Sequence, residues 1–177
     1  MIDIGSTRTS FSVFAGQGLR FTSSIPVSSY QFTEAISKVC GVNHEAAERL
    51  KKEYGLSQRA DPQGEKVFDA IVPPLVDLVE QIKKYLGYYE SHSQHEHQSG
   101  KYAKIQRVLL CGGGALLRGL PEFLAKELRV DVALGNPWTN VFSGGFEEIP
   151  PIPFQESLKY TTALGLALRG VAALENV

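Results

Sequence analysis

The chain has two cysteines, almost no net charge and no long apolar run, and each shortage removes a class of protein. Lys and Arg number 18 against 19 Asp and Glu, for a formal net charge of −1. No basic cluster supplies the field that draws nucleic acid or an anionic membrane surface, so no nucleic acid is expected as a partner. The longest apolar stretches are broken by charge within about ten residues, short of the ~20 a spanning helix needs, so no direct membrane insertion is expected. Cys40 and Cys111 stand far apart, and Cys111 lies in an apolar run. They read as buried, reduced thiols of a cytoplasmic protein. No Ser-His-Asp or Cys-His arrangement can be assembled, since His44 has no candidate nucleophile near it in sequence.

What is present is an ordinary globular composition, 43% apolar and 21% charged over 177 residues, enough for one domain or two small subdomains. Ile2 to Ile4, Ser10 to Phe14 and Leu19 to Val27 read as a three-stranded meander. An amphipathic helix follows from Tyr30 to Val39 and stops at Gly41. Asn43 reads as the N-cap of a second helix, His44 to Tyr54, with Gly55 as its stop. Ser57 to Gly64 reads as a polar loop. Val67, Phe68, Ile71, Leu75, Val79, Ile82, Leu86 and Tyr89 mark one face of a long helix that Pro73 and Pro74 either kink or restart. A polar connection at Ser91 to Lys101 precedes an apolar strand, Val108 to Cys111, of the kind buried in a parallel sheet. A helix at Pro121 to Leu128, a strand at Val130 to Leu134, an irregular stretch at Gly135 to Pro153 and a helix at Gln155 to Leu174 complete the order. Met1 directly precedes the first strand, which reads as a chain beginning inside a larger architecture.

Two turns bear on chemistry. Asp3-Ile-Gly5-Ser6-Thr7-Arg8-Thr9 puts a carboxylate at a strand end and hydroxyls at the turn into the next. Such a hairpin can aim N–H groups and hydroxyls at a phosphate while Asp3 addresses a hydrated magnesium ion; an ordinary hairpin explains the same residues. Gly112-Gly113-Gly114 follows a strand and precedes a helix, but lacks the Lys-Ser/Thr pair of a P-loop and the spacing of the dinucleotide fingerprint. A base or ribose lying on bare backbone suits it better than phosphate, and a plain glycine-rich turn remains the alternative. Thr162, Ala163 and Gly165 give the last helix a small face, for approach to a loop or for simple packing. His92, His95, Glu96 and His97 resemble metal ligands but lie in a Ser/Gln-rich stretch without Cys partners, and read as a solvated loop.

Taken together, the hairpin, the Gly112 to Leu117 turn and the closing Tyr160-Thr-Thr-Ala-Leu-Gly-Leu-Ala-Leu-Arg-Gly170 helix resemble the second half of actin-like ATPases. Ser24-Ile-Pro-Val, Glu48-Arg-Leu-Lys-Lys-Glu-Tyr-Gly55 and Gly135-Asn-Pro-Trp138 extend the likeness toward the PilM family of type IV pilus assembly, with the FtsA family next. The resemblance implies a ribonuclease H-like α/β fold, a mixed five-stranded sheet in the order 3-2-1-4-5 with helices on both faces. Residues 1–42 and 101–177 would form the nucleotide-binding subdomain, and residues 43–100 an inserted helical one. It implies ATP with Mg2+ as cofactors. Asp3, Gly5, Ser6, Thr7 and Thr9 would form the second phosphate loop, with Asp3 reaching the magnesium through water. Gly112, Gly113, Gly114 and Leu117 would form the adenosine loop, and Glu48, Lys51 and Lys52 the opposite wall; Arg8 departs from the small or hydroxyl residue commoner at its place. The implied partners are the missing N-terminal half of the same protein and, mainly through that half, a PilN-like inner-membrane protein, giving a cytoplasmic location peripheral to that membrane. The expected function is a nucleotide-binding scaffold of type IV pilus, secretion or competence assembly. A cell-division protein or another ATPase of the actin and sugar-kinase superfamily is the alternative. This half alone is expected not to be an enzyme, because phosphate stabilisation and placement of the attacking water need donors from both sides of the cleft; a full-length protein could be a slow ATPase.

Overall fold

A computed structural model of the chain describes residues 1–16, 18–57, 60–93, 104–141 and 152–174. Alternation of apolar and polar residues produces β1 (Ile2–Ile4), β2 (Thr9–Ala15) and β3 (Gly18–Ile25), an antiparallel meander in which Ile2 faces Phe11 and Thr9 faces Ile25. Later in the chain come β4 (Arg107–Cys111) and β5 (Asp131–Leu134). β4 runs parallel to β1, with Asp3 beside Cys111, and β5 runs parallel to β4. The sheet order is β3-β2-β1-β4-β5, as the resemblance implied.

The second helix starts where its cap predicts, and the others start a residue or more earlier than read. α1 (Ser29–Cys40) begins after Ser28, whose N–H donates to Gln31 Oε1, and stops at Gly41. α2 (His44–Tyr54) is capped by Asn43, whose Oδ1 accepts the Ala46 N–H at 2.9 Å. α3 spans Pro62–Ser93 and continues through Pro73 and Pro74, so the expected polar loop is shorter than read and the helix neither stops nor restarts. Asp61 accounts for the early start, because its carboxylate accepts the N–H groups of Gln63 and Gly64 and so satisfies the first-turn donors. α4 (Leu120–Leu128) follows the glycine turn. The closing helix is interrupted: α5 (Phe154–Ser157) passes through a 3-10 turn at Leu158–Tyr160 into α6 (Thr161–Leu174).

One hydrophobic cluster joins Ile2, Ile4, Phe11, Val108 and Leu110 of the sheet to Phe32 and Ile36 of α1, to Ile71, Leu75, Leu78 and Ile82 of α3 and to Leu124 of α4. Phe11 stacks on Tyr85 at 5.1 Å between ring centres. Side chains alternate across a strand, so Asp3, between buried Ile2 and Ile4, points to the opposite face. There Thr162 of α6 donates to its carboxylate at 3.1 Å. The expected small face of α6 packs against little: Ala163 and Gly165 are exposed, and a Cβ on Gly165 would meet nothing within 4 Å among the described residues.

Candidate functional site

The two turns singled out in the sequence lie side by side, because β1 and β4 are parallel neighbours and both turns leave their carboxyl ends. That end is where open α/β sheets hold ligands. The hairpin is closed by the Gly5 N–H donating to the Arg8 carbonyl at 2.9 Å, which leaves Ser6 and Thr7 exposed at its tip. Thr9 is turned away from the cleft: its side chain is fully buried and its hydroxyl donates to the Val27 carbonyl at 2.8 Å.

The three glycines of the second turn have different surroundings. Gly112 has φ 83°, and a Cβ there would strike Asp3 Oδ1 and stand 2.6 Å from the Ile4 carbonyl oxygen. A Cβ on Gly114 would drive into Ile4, 2.9 Å from its carbonyl oxygen. Both are therefore glycine because β1 passes against them. Gly113 is exposed, and its Cβ would meet only Lys159 Cγ at 3.7 Å, so its bare backbone faces open space. The Gly112 N–H donates to the Leu158 carbonyl at 3.0 Å, which anchors the turn to the closing segment.

α2 forms the facing wall and is laced to this turn. Arg118 donates to the Glu53 carbonyl at 2.8 Å, and the Leu56 N–H donates to the Arg118 carbonyl at 2.8 Å. On that wall Lys52 is exposed, Glu48 half-buried and Lys51 only 7% exposed. The Lys51 ammonium stands 2.7 Å from Glu48 Oε2, 2.7 Å from Thr33 Oγ1 and 2.9 Å from Ser29 Oγ. Burial pushes the Lys51 ammonium below its usual range against the pull of Glu48. Burial also pushes the Glu48 carboxyl up, but hydrogen bonds from Lys51 and Thr33 and the charges of Lys51 and Lys52 outweigh it, and the net shift is downward. At the foot of the site the Cys111 thiol is pushed up to about 12, by burial first and by the Asp3 carboxylate second.

Between these walls lies a cleft of about 680 Å3, lined by Ser6, Glu48, Lys51, Lys52, Gly113, Gly114 and Leu117 among others. A volume in the range of roughly 300–1,000 Å3 is that of a small-molecule site. The open backbone at Gly113, the flanking cations and the hydroxyl at Ser6 suit a nucleotide. Sequence reasoning missed Ser29, Lys159 and Gln155, which also line the cleft; they enter from helices with no motif of their own. A second cavity of about 380 Å3 lies at the other end of the sheet among Phe11, Phe21 and Tyr85, and none of the predicted site residues borders it. Cys40 and Cys111 are both free thiols. Of the histidine-rich stretch, His95, Glu96 and His97 fall outside the described residues. His92 stacks on Tyr88 at 4.1 Å, and no cluster of three metal-ligating side chains occurs among the described residues. No helix among the described residues is long and apolar enough to cross a membrane.

A family model described as cell division protein FtsA matches residues 1–165. The cell shape-determining protein MreB of Pasteurella multocida is 30% identical over 182 aligned positions, covering 86% of this chain and 50% of the relative. A solved structure described as the PilM-PilN type IV pilus biogenesis complex superposes with a TM-score of 0.76 at 30% identity, covering 96% of this chain and 45% of that one. MreB5 of Spiroplasma citri bound to AMPPNP shares the fold, with a TM-score of 0.67 at 15% identity over 99% of this chain and 53% of that one. The chain thus spans about half the length of the curated relatives it matches. These are actin-like ATPase relationships, and they correct the expectation that the chain is not an enzyme. The expectation rested on half a cleft leaving the phosphates in water, an argument about this piece and not about the family it belongs to.

Proposed function

Because the chain belongs to the family of cell division protein FtsA, among the actin-like ATPases, we propose that its cleft holds ATP and that the protein is a nucleotide-binding scaffold of type IV pilus or related assembly. Gly113, Gly114 and Leu117 receive the base and sugar against the wall of Glu48, Lys51 and Lys52. Ser6 and Thr7, with the backbone N–H groups of the hairpin, address the phosphates. Asp3, whose carboxylate accepts from Thr162, would hold a hydrated magnesium ion through water, and the ion would supply neutralisation of phosphate charge. ATP hydrolysis at this cleft relies on donors that surround the developing charge.

The pilus reading is carried by the likeness to PilM at 30% identity over 96% of the chain, and with it comes a PilN-like membrane partner and a location at the inner membrane. The family model favours a second reading, a role in cell division. Deletion of the gene separates them. Loss of pili with normal septation is expected; unseptated filaments that keep their pili would contradict the pilus role and support the second.

A further inference from the structure

We propose that Thr33 is a positioning residue for the nucleoside wall, its hydroxyl fixing where Glu48 and Lys51 stand relative to the glycine turn; the inference rests on the reading of the cleft as an ATP site. Thr33 sits on α1, 1% exposed. Its Oγ1 lies 2.6 Å from Glu48 Oε2, 2.7 Å from Lys51 Nζ and 3.3 Å from the Ser29 carbonyl oxygen. A hydroxyl has one proton and two lone pairs. The ammonium of Lys51 can only donate, so Thr33 accepts from it. Its own proton then goes to the charged, closer Glu48 carboxylate rather than to the longer helix back-bond. Donor and acceptor at once, this hydroxyl completes a closed triangle with the Lys51–Glu48 ion pair.

The triangle matters because α1 is itself referenced to the phosphate hairpin. The Ser29 N–H donates to the Gly5 carbonyl at 3.0 Å and the Tyr30 N–H to the Ser6 carbonyl at 3.3 Å. The same Ser29 accepts from Lys51 through both its hydroxyl and its carbonyl, and Thr33 stands one turn later. The distance from the phosphate end to the nucleoside wall is therefore set through the first two turns of α1. Without the Thr33 hydroxyl, Lys51 keeps its bonds to Ser29, but Glu48 is left to the two lysines, with Lys52 Nζ a competing partner at 3.5 Å, and its side of the wall loses its reference to α1. Thr33 borders neither turn in sequence.

The test uses the complete protein with Thr33→Val, which keeps the shape, and Thr33→Ser, which keeps the hydroxyl. Affinities for ATP and ADP are measured by calorimetry with magnesium, and inorganic tripolyphosphate serves as a competitor that engages only the phosphate side. Thr33→Val is expected to weaken ATP and ADP alike by about tenfold, as loss of charge-assisted hydrogen bonds does. Tripolyphosphate should stay within about twofold, and Thr33→Ser should recover ATP affinity to within about twofold. Should the valine variant not fold, Thr33→Ala carries the same expectation. Unchanged ATP affinity in the valine variant, an equal loss of tripolyphosphate, or no recovery by serine would overturn the inference while leaving the ATP site standing. No ATP binding by the unsubstituted protein would overturn both.

Discussion

A single added methyl separates the uses of the three turn glycines. Gly112→Ala and Gly114→Ala each place a Cβ inside the contact distance of β1. Each should cost at least about 2 kcal/mol and lower Tm by roughly 4–8 °C. Gly113→Ala has room in the fold, so thermal melting should place it within a degree or two of the unsubstituted protein while calorimetry shows weaker ATP binding. If Gly113→Ala binds ATP normally, that glycine does not face the ligand. The two thiols separate in the same manner. Cys111 is 2% exposed with its pKa pushed up to about 12, whereas Cys40 is half-buried. Iodoacetamide at neutral pH should alkylate Cys40 well before Cys111, as peptide mass spectrometry would report. With its pKa raised above the ordinary 9.0, the thiol adds stability that is whole below pH 9 and lost as pH rises toward 12. Asp3 and the glycines were legible because close backbone approach demands particular residue types. Thr33 was not, because its partners lie 15 and 18 residues away and nothing local marks a helical threonine that serves a neighbouring helix.

At the scale of the element, α2 decides whether the cleft has two walls. Its start depends on one cap, and Asn43→Ala should cost about 1 kcal/mol, seen as a Tm loss of roughly 2–4 °C. Its inner face depends on Glu48, whose carboxyl is held below the usual 4.5. A depressed folded pKa gives stability that is present above the unfolded value and lost as pH falls through the folded one. Stability should therefore decline below about pH 4.5, and Glu48→Gln should flatten part of that acid limb in denaturant titrations; an unchanged limb would remove Glu48 from the account. The cap of α2 and the apolar stripe of α3 could be read directly, since both are local patterns. Leu78, fully buried, escaped the stripe as read, and the early start of α3 depended on Asp61 bonding two residues beyond it, a detail that Pro62 and Gly64 masked in the sequence.

Across the whole molecule, the strand order was implied by the resemblance to actin-like ATPases rather than by any local pattern, and the sheet has that order. That order alone brings Asp3 and Gly112 together across 109 residues of chain separation. Packing of the closing segment could not be read in the same way: its small residues fit close approach equally well anywhere, and the structure leaves Ala163 and Gly165 exposed. We also propose the division into residues 1–42 with 101–177 and an inserted 43–100, although α1 and α3 share one core with the sheet. Hydrogen–deuterium exchange on the complete protein, with and without ATP and magnesium, addresses the central claim most directly. The account predicts new protection at residues 5–8, 48–52 and 112–117 and little change around Tyr85 and Phe21. Saturable binding that protects only the cavity at Tyr85 and Phe21, or no protection at either turn, would contradict it.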